Sequence, residues 1–266
     1  MGVLVLTSAT GSPGVTTTAL GLALAWPRPV VLVDADPTGA CPIQSGYFRG
    51  EDLGHDPTLV DLSVSHRDGT LSTDLPRMLM TIPDTNVQFL PGLLSHTQAA
   101  SMNPVWAPLC HTLRALDSAG RDVIVDAGRL GLTGSPIPLI YGADLTLIVL
   151  RATLPGLRGA VTWTTTLTDS IANNQGVATT LGALPIGPQN VGTRGYSTTT
   201  IARTLGVPVM ATLSDDRGGA EVLSLGRPST RRWTRSPLSK SFPAAASTLR
   251  AALTRTVDVT TLQEST

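Results

Sequence analysis

Apolar residues in this chain fall into short unbroken runs. Val3–Leu6, Val30–Val33, Val87–Leu90, Asp122–Val125, Leu145–Leu150, Thr179–Leu184 and Val209–Thr212 are four to six residues long and rich in Val, Leu and Ile. A strand covered on both faces has no polar side to alternate with, so runs of this kind predict parallel strands buried between helices. Longer segments with helical spacing separate them. These predict helices over Thr16–Ala25, Pro104–Ser118, Leu157–Ile171, Ser197–Leu205, Ala220–Ser224 and Ala244–Thr254. The alternation predicts an α/β fold, with a mostly parallel twisted sheet of seven to eight strands and helices on both faces. We expect a single domain over residues 1–255. Residues 40–85, rich in Gly, Pro, Asp and His, yield only a short helix near Leu59–Val64. Residues 227–243 read as a basic irregular loop, and residues 256–266 as a polar, frayed C-terminal tail. No repeat of 20–50 residues is visible.

Composition narrows the class. With 266 residues, 41% of them hydrophobic, the chain can bury a sizeable core. It has no apolar run long enough to predict a membrane-spanning helix, and no basic segment precedes its first apolar run, so a secretion signal is not expected. Cys41 and Cys110 lie far apart and match no metal spacing, which reads as reduced core cysteines of a cytoplasmic protein. The formal net charge is zero but unevenly spread: residues 1–190 hold 9 Arg against 14 acids, and residues 191–266 hold 10 basic residues against 5 acids. Lys240 is the only lysine.

Three features with chemical content fall at the ends of predicted strands, where open α/β sheets bind ligands. The first is "TSATGSPGVTTTALGLA", residues 7–23. Glycines here allow backbone N–H groups to close on an anion at a helix start. Aligned on Gly14, the stretch fits a phosphate-binding loop, G-x-x-x-x-G-K-[ST], only in part, because Val15 stands where the lysine belongs. Thr16 sits where a hydroxyl would hold Mg²⁺. The second feature is "VVLVDADPTGA", a buried strand ending in Asp34 and Asp36, two carboxylates expected to point the same way from extended chain. The third is "RDVIVDAGRLG", ending in Asp126 with Gly128 two residues on. An acid there suits Mg²⁺ held through water, and the glycine suits a loop that senses a terminal phosphate. The histidines His55, His66, His96 and His111 share no ligand spacing, and no G-x-S-x-G elbow is present. Trp26, Trp106 and Trp163 read as packing residues.

In this order the features resemble the ParA/MinD family of P-loop ATPases. Gly11, Gly14, Thr16 and Thr17 match the family's deviant loop, K-G-G-x-G-K-T-T. "DADP" (Asp34–Pro37) matches its D-x-D-P, and "VIVDAG" resembles its acid-bearing strand. "ADLTLIVL" (Ala143–Leu150) and "GYSTTTIARTLGVPVMATLSDD" (Gly195–Asp216) resemble two later segments, so the likeness spans roughly residues 1–226. It implies ATP or ADP with Mg²⁺, cradled by Gly11, Ser12, Pro13, Gly14, Val15, Thr16 and Thr17. Thr16, Asp36 and Asp126 would hold the Mg²⁺, Asp36 would be the catalytic or switch carboxylate, and the Leu213–Asp216 loop would lie near the base.

The departures from the family fall on the chemistry. Its two loop lysines correspond to Thr10 and Val15. In the family the first reaches across a homodimer to the partner's phosphates and the second contacts phosphates in its own subunit. Each charge-assisted contact contributes roughly 1.5–3 kcal/mol. Losing both implies affinity lower by about two to four orders of magnitude and at most weak hydrolysis. Arg129 and Arg151, each at a strand end, are candidates to replace the charge. The resemblance implies a partition or positioning protein, involved in cell division or DNA partitioning, whose nucleotide-dependent homodimer engages DNA or a protein partner. Arg227, Arg231, Arg232, Arg235 and Lys240, clustered around Trp233, are the candidate polyanion contacts. The last residues form no basic amphipathic helix, so membrane anchoring is not expected. The alternative is a pseudo-ATPase scaffold that binds no nucleotide and recruits a pilus, secretion or conjugation machine.

Overall fold

The apolar runs assemble into one eight-stranded sheet. Its strands are β1 (Val3–Ser8), β2 (Val30–Asp34), β3 (Met80–Thr81), β4 (Val87–Leu90), β5 (Asp122–Arg129), β6 (Leu145–Arg151), β7 (Thr180–Gly187) and β8 (Leu213–Ser214). The spatial order is β3-β4-β2-β5-β1-β6-β7-β8. Every neighbouring pair is parallel except β3 with β4. The computed structural model describes residues 2–39, 42–49, 58–173, 179–187, 195–227, 229 and 231–263, except the side chains of Arg232 and residues 255–263.

The helices are α1 (Val15–Leu24), α2 (Leu59–Arg67), α3 (Leu71–Asp74), α4 (Trp106–Ala115), α5 (Ile137–Gly142), α6 (Leu154–Asn173), α7 (Thr198–Leu205), α8 (Arg217–Ser224), α9 (Arg231–Arg235) and α10 (Pro237–Gln263). Period-two geometry divides each apolar run between two cores. Val3 and Val5 of β1 join α2, α4, α5, α6 and α7 on one face, whereas Leu4 and Leu6 join α1, α8 and α10 on the other. β2 divides likewise, with Val31 and Val33 against Val30 and Leu32. Both faces are therefore covered, as the unbroken runs require.

Three expectations need correction. The run Val209–Thr212 is not a strand. Val209 makes one isolated bridge to Ala183, and pairing resumes only at Leu213 opposite Ile186. Ala183 both donates to Pro208 and accepts from Met210, so its peptide groups face this edge. Pro185 is the next β7 residue of the same parity and has no N–H to offer. Residues 227–243 are not irregular throughout, because α9 and the start of α10 lie within them. Ser236 accepts a hydrogen bond from the Ser239 N–H at 3.0 Å, and Pro237 begins α10 where a missing N–H costs nothing. The apolar stripe that docks α10 starts at Leu238 and continues through Phe242, Ala246, Leu249 and Leu253. The expected polar tail from 256 is helical backbone as far as Gln263.

The strand order decides where the chemistry falls. β5 lies between β2 and β1, so the loops that follow these three strands emerge side by side. Asp34 and Asp126 are register partners across β2 and β5, and Leu6 pairs with Asp126 from the other side.

Candidate functional site

The loop between β1 and α1 turns on two left-handed glycines, Gly11 with φ of 67° and Gly14 with φ of 103°. Residues with a Cβ adopt such angles at a cost, which accounts for glycine at both positions. No side chain caps α1, whose first residue follows Gly14 directly. A helix start whose orphan N–H groups have no capping side chain favours an anion. Val15, Thr16 and Thr17 of that first turn line an open cleft of about 520 Å³. Gly11, Ser12, Pro13 and Gly14 line it too, together with Asp36, Gly128 and Arg129 from the neighbouring strand ends. The residues singled out in sequence are thus largely brought to one place. Ser8, Thr38 and Leu132 complete the lining and were not singled out.

The two acids after β2 do not point the same way. Asp34 is the last residue of the strand and is buried, with its carboxylate against Gly92 beyond β4. Asp36 lies past the strand end, with its carboxylate against Gly128 near the end of the opposite neighbour, β5. The extended backbone that would align them ends at Asp34, whose Oδ1 accepts the Asp36 N–H at 3.2 Å and turns the chain. Asp36 is therefore the acid that reaches the cleft. Its Oδ1 accepts both the Thr38 N–H at 2.9 Å and the Thr38 hydroxyl at 2.8 Å, which fixes the carboxylate in place. The Asp-Pro-Thr order was a readable sign of such a turn.

Asp126 is fully buried on β5 beneath the cleft. Its Oδ1 accepts the Gly128 N–H at 3.0 Å, while Oδ2 is buried without a hydrogen-bond partner. Burial pushes its carboxyl up to about 7, the nearby Asp36 charge adds to the rise, and the neighbouring Thr16 hydroxyl and the Gly128 N–H oppose it. A buried acid with an orphaned oxygen, close to a second carboxylate, matches what a divalent cation requires. Mg²⁺ is commonly held by one or two carboxylates with water and ligand phosphates, so Thr16, Asp36 and Asp126 fit it without a dense ligand cluster. Among the described residues no group of three or more His, Cys, Asp or Glu side chains is placed to hold a metal ion by itself.

Val15 and Thr10, where the resemblance would place lysines, are held in different ways. Val15 is only 7% exposed and packs into the core beneath α1. Thr10 lies against α6: a Cβ on Gly159 would sit 2.4 Å from its Oγ1. Arg129 is exposed and lines the cleft. Arg151 lines a smaller cavity of about 170 Å³ beside Ala9–Pro13 and is ion-paired with Asp215.

The basic C-terminal residues divide. Arg235 and Lys240 share a groove of about 420 Å³ with Thr212 and Ser241, whereas Arg227 pairs with Glu221 at 3.0 Å. Arg231 is exposed on α9, the Arg232 side chain lies outside the described residues, and Trp233 packs partly against the core. Cys110 is a buried free thiol whose pKa burial raises, which suits a packing role. Cys41 and His55 lie outside the described residues. Among those residues no helix is long and apolar enough to cross a membrane.

No protein-family model and no curated protein sequence matches the chain. Solved structures do. The cell-division ATPase MinD of Pyrococcus furiosus superposes with a TM-score of 0.71 at 20% identity, covering 94% of this chain and 98% of that one. The septum site-determining protein MinD of Pyrococcus horikoshii OT3, complexed with Mg-ADP, gives 0.69 at 20% identity, covering 92% and 93%. A variant of McdA from Cyanothece in complex with ATP gives 0.70 at 19% identity, covering 94% and 96%. The fold of this chain is that of the MinD-like P-loop ATPases.

Proposed function

We propose that this chain is a nucleotide-dependent partition or positioning switch with a degenerate ATP site. The observation that carries the reading is convergence. The Gly11–Thr17 loop, Asp36, Gly128 and Arg129 arrive from three strand ends at one cleft, over a buried Asp126 with an orphaned oxygen. The similarly folded proteins complexed with Mg-ADP and with ATP support the choice of ligand. Bound Mg–nucleotide would supply a phosphoanhydride bond and a counter-charge for the acids. The loop N–H groups and the start of α1 would hold the phosphates, and Thr16, Asp36 and Asp126 would hold the metal. Thr38 would keep Asp36 aimed at the cleft. With Val15 in place of a lysine, hydrolysis would be slow, and binding rather than turnover would set the state of the protein. In that state a homodimer would engage DNA or a protein partner through the basic surface of α9 and α10, at Arg231, Arg232, Arg235 and Lys240.

A second reading, a scaffold that binds no nucleotide and recruits a secretion, pilus or conjugation machine, is favoured by one observation. Val15 contributes to the core and Thr10 packs on Gly159, so both former lysine positions have structural roles. Calorimetric titration with ATP and ADP in the presence of Mg²⁺ separates the two. Saturable binding supports the switch, and silence at millimolar nucleotide leaves the scaffold. A salt-dependent DNA gel shift, lost on reversing Arg235 and Lys240 to Glu, tests the basic groove.

A further inference from the structure

Arg129 occupies a position that the resemblance does not account for. Among the described residues lining the cleft it is the only basic one, and Asp36 is the only acid. A polyphosphate entering a cleft of that composition meets one cation, delivered by β5 rather than by the loop. The root of this side chain is held on both sides. The Gly128 N–H donates to Asp126 at 3.0 Å, the Gly128 carbonyl accepts the Thr7 hydroxyl at 3.1 Å, and the Leu130 N–H donates to the Ser8 carbonyl at 2.9 Å. Arg129 is the register partner of Ser8, the last residue of β1 before the loop. Its backbone is therefore tied to the start of the phosphate loop, while its side chain is exposed and makes no ion pair among the described residues. Arg151 offers no equivalent, because it faces a different cavity and is neutralised by Asp215.

We propose that Arg129 is the phosphate-contacting residue of the cleft, supplying from the end of β5 the charge that Val15 cannot supply from the loop. The inference rests on the nucleotide reading above. A guanidinium suits this task because its planar fork bonds two phosphate oxygens at once and stays charged. It also places the contact one residue from Gly128 and its packing partner Asp36, so phosphate occupancy and the position of that acid would be linked through adjacent residues.

The test is titration of the full chain with MgATP, with inorganic triphosphate as a competitor. R129A is expected to weaken both by about tenfold or more, R129K to recover part of the loss, and R158A, on the exposed surface of α6, to change neither. The unliganded melting temperature of R129A should match that of the parent protein. If the parent binds MgATP and R129A binds it equally, the inference is overturned and the nucleotide reading stands. If R129A melts lower without ligand and R129K fails to restore triphosphate binding, Arg129 is structural and the inference is overturned. If the parent chain binds no nucleotide, both readings fall together.

Discussion

Gly128 and the carboxylate of Asp36 are packed so closely that a Cβ on the glycine would lie 2.4 Å from Asp36 Cγ. Gly128 also has φ of 60°, which a side chain makes costly by roughly 1–2 kcal/mol. A Gly128→Ala variant would have to move Asp36 or bend the end of β5. We expect a melting temperature lower by several degrees and nucleotide affinity reduced about tenfold or more, since the acid and Arg129 are displaced together. Thermal melts paired with titration check this. A variant with parental affinity would show that Asp36 does not take part in binding.

Asp126 makes stability depend on pH with a definite sign. Its carboxyl titrates near 7 in the folded chain against an ordinary value of 3.8, so the folded state holds a proton that the unfolded state has released. The stability this contributes is fully present below about pH 4 and is lost as pH rises through 7. Asp126→Asn keeps an acceptor for the Gly128 N–H and removes the ionisation. Each unit of displacement corresponds to about 1.4 kcal/mol, so the variant is expected to gain on the order of 2–4 kcal/mol at pH 8, or roughly 5–10 °C. The gain should vanish at pH 4. Melting curves across that range, without Mg²⁺ or nucleotide, measure it.

The sequence made the sheet readable because burial on two faces leaves a simple mark, the unbroken apolar run. β4 coincides with the predicted Val87–Leu90, and β1, β2, β6 and β7 run past their predicted ends by three residues or fewer, whereas β5 runs on to Arg129. Its last residues carry glycine and arginine, which no apolar pattern includes. The final strand was misplaced because the interruption comes from Pro185 on its neighbour, not from its own residues. The start of α10 was hidden by its Arg/Ser/Pro composition, although Ser236-Pro237 is a legible cap. At the site, the loop glycines and the acids were visible as motifs. The choice of Asp36 over Asp34 came from the resemblance and not from the strand pattern, because the direction each takes depends on where β2 ends and on glycines at positions 92 and 128. The partners of Thr10 and Arg129 were equally out of reach, since each is set by the order of strands.

Gly21 gives a case where helix propensity and packing disagree. In an isolated helix, Gly→Ala is favourable by roughly 0.8–1.0 kcal/mol. Here a Cβ on Gly21 would lie 2.1 Å from Cζ of Phe242, where α10 crosses α1. Overpacking of this kind costs about 1–3 kcal/mol, so Gly21→Ala is expected to destabilise the protein despite its propensity. Phe242→Leu should destabilise the parent but lessen the damage in the Gly21→Ala background. Urea unfolding of the two single variants and the double variant gives the coupling; simple additivity would mean that the two helices do not meet at these residues.

Val15 tests what a lysine at this position would contribute to the cleft. The side chain is buried, yet it also lines the cleft, so a longer residue at this position has a route out of the core. In Val15→Lys the aliphatic stem can lie where valine packs while the ammonium reaches the phosphates. The lost apolar packing should lower stability by about 1–2 kcal/mol. The new charge-assisted contact should raise affinity for ATP by about tenfold or more. The two effects are separable, because the first appears in unliganded melts and the second only in titration. Combining Val15→Lys with Arg129→Ala extends the test: if both cations serve the same phosphates, the lysine should recover most of the affinity that loss of the arginine removes. A destabilised Val15→Lys chain with no gain in affinity would place the phosphates beyond reach of this helix start, and would favour the scaffold reading over the switch.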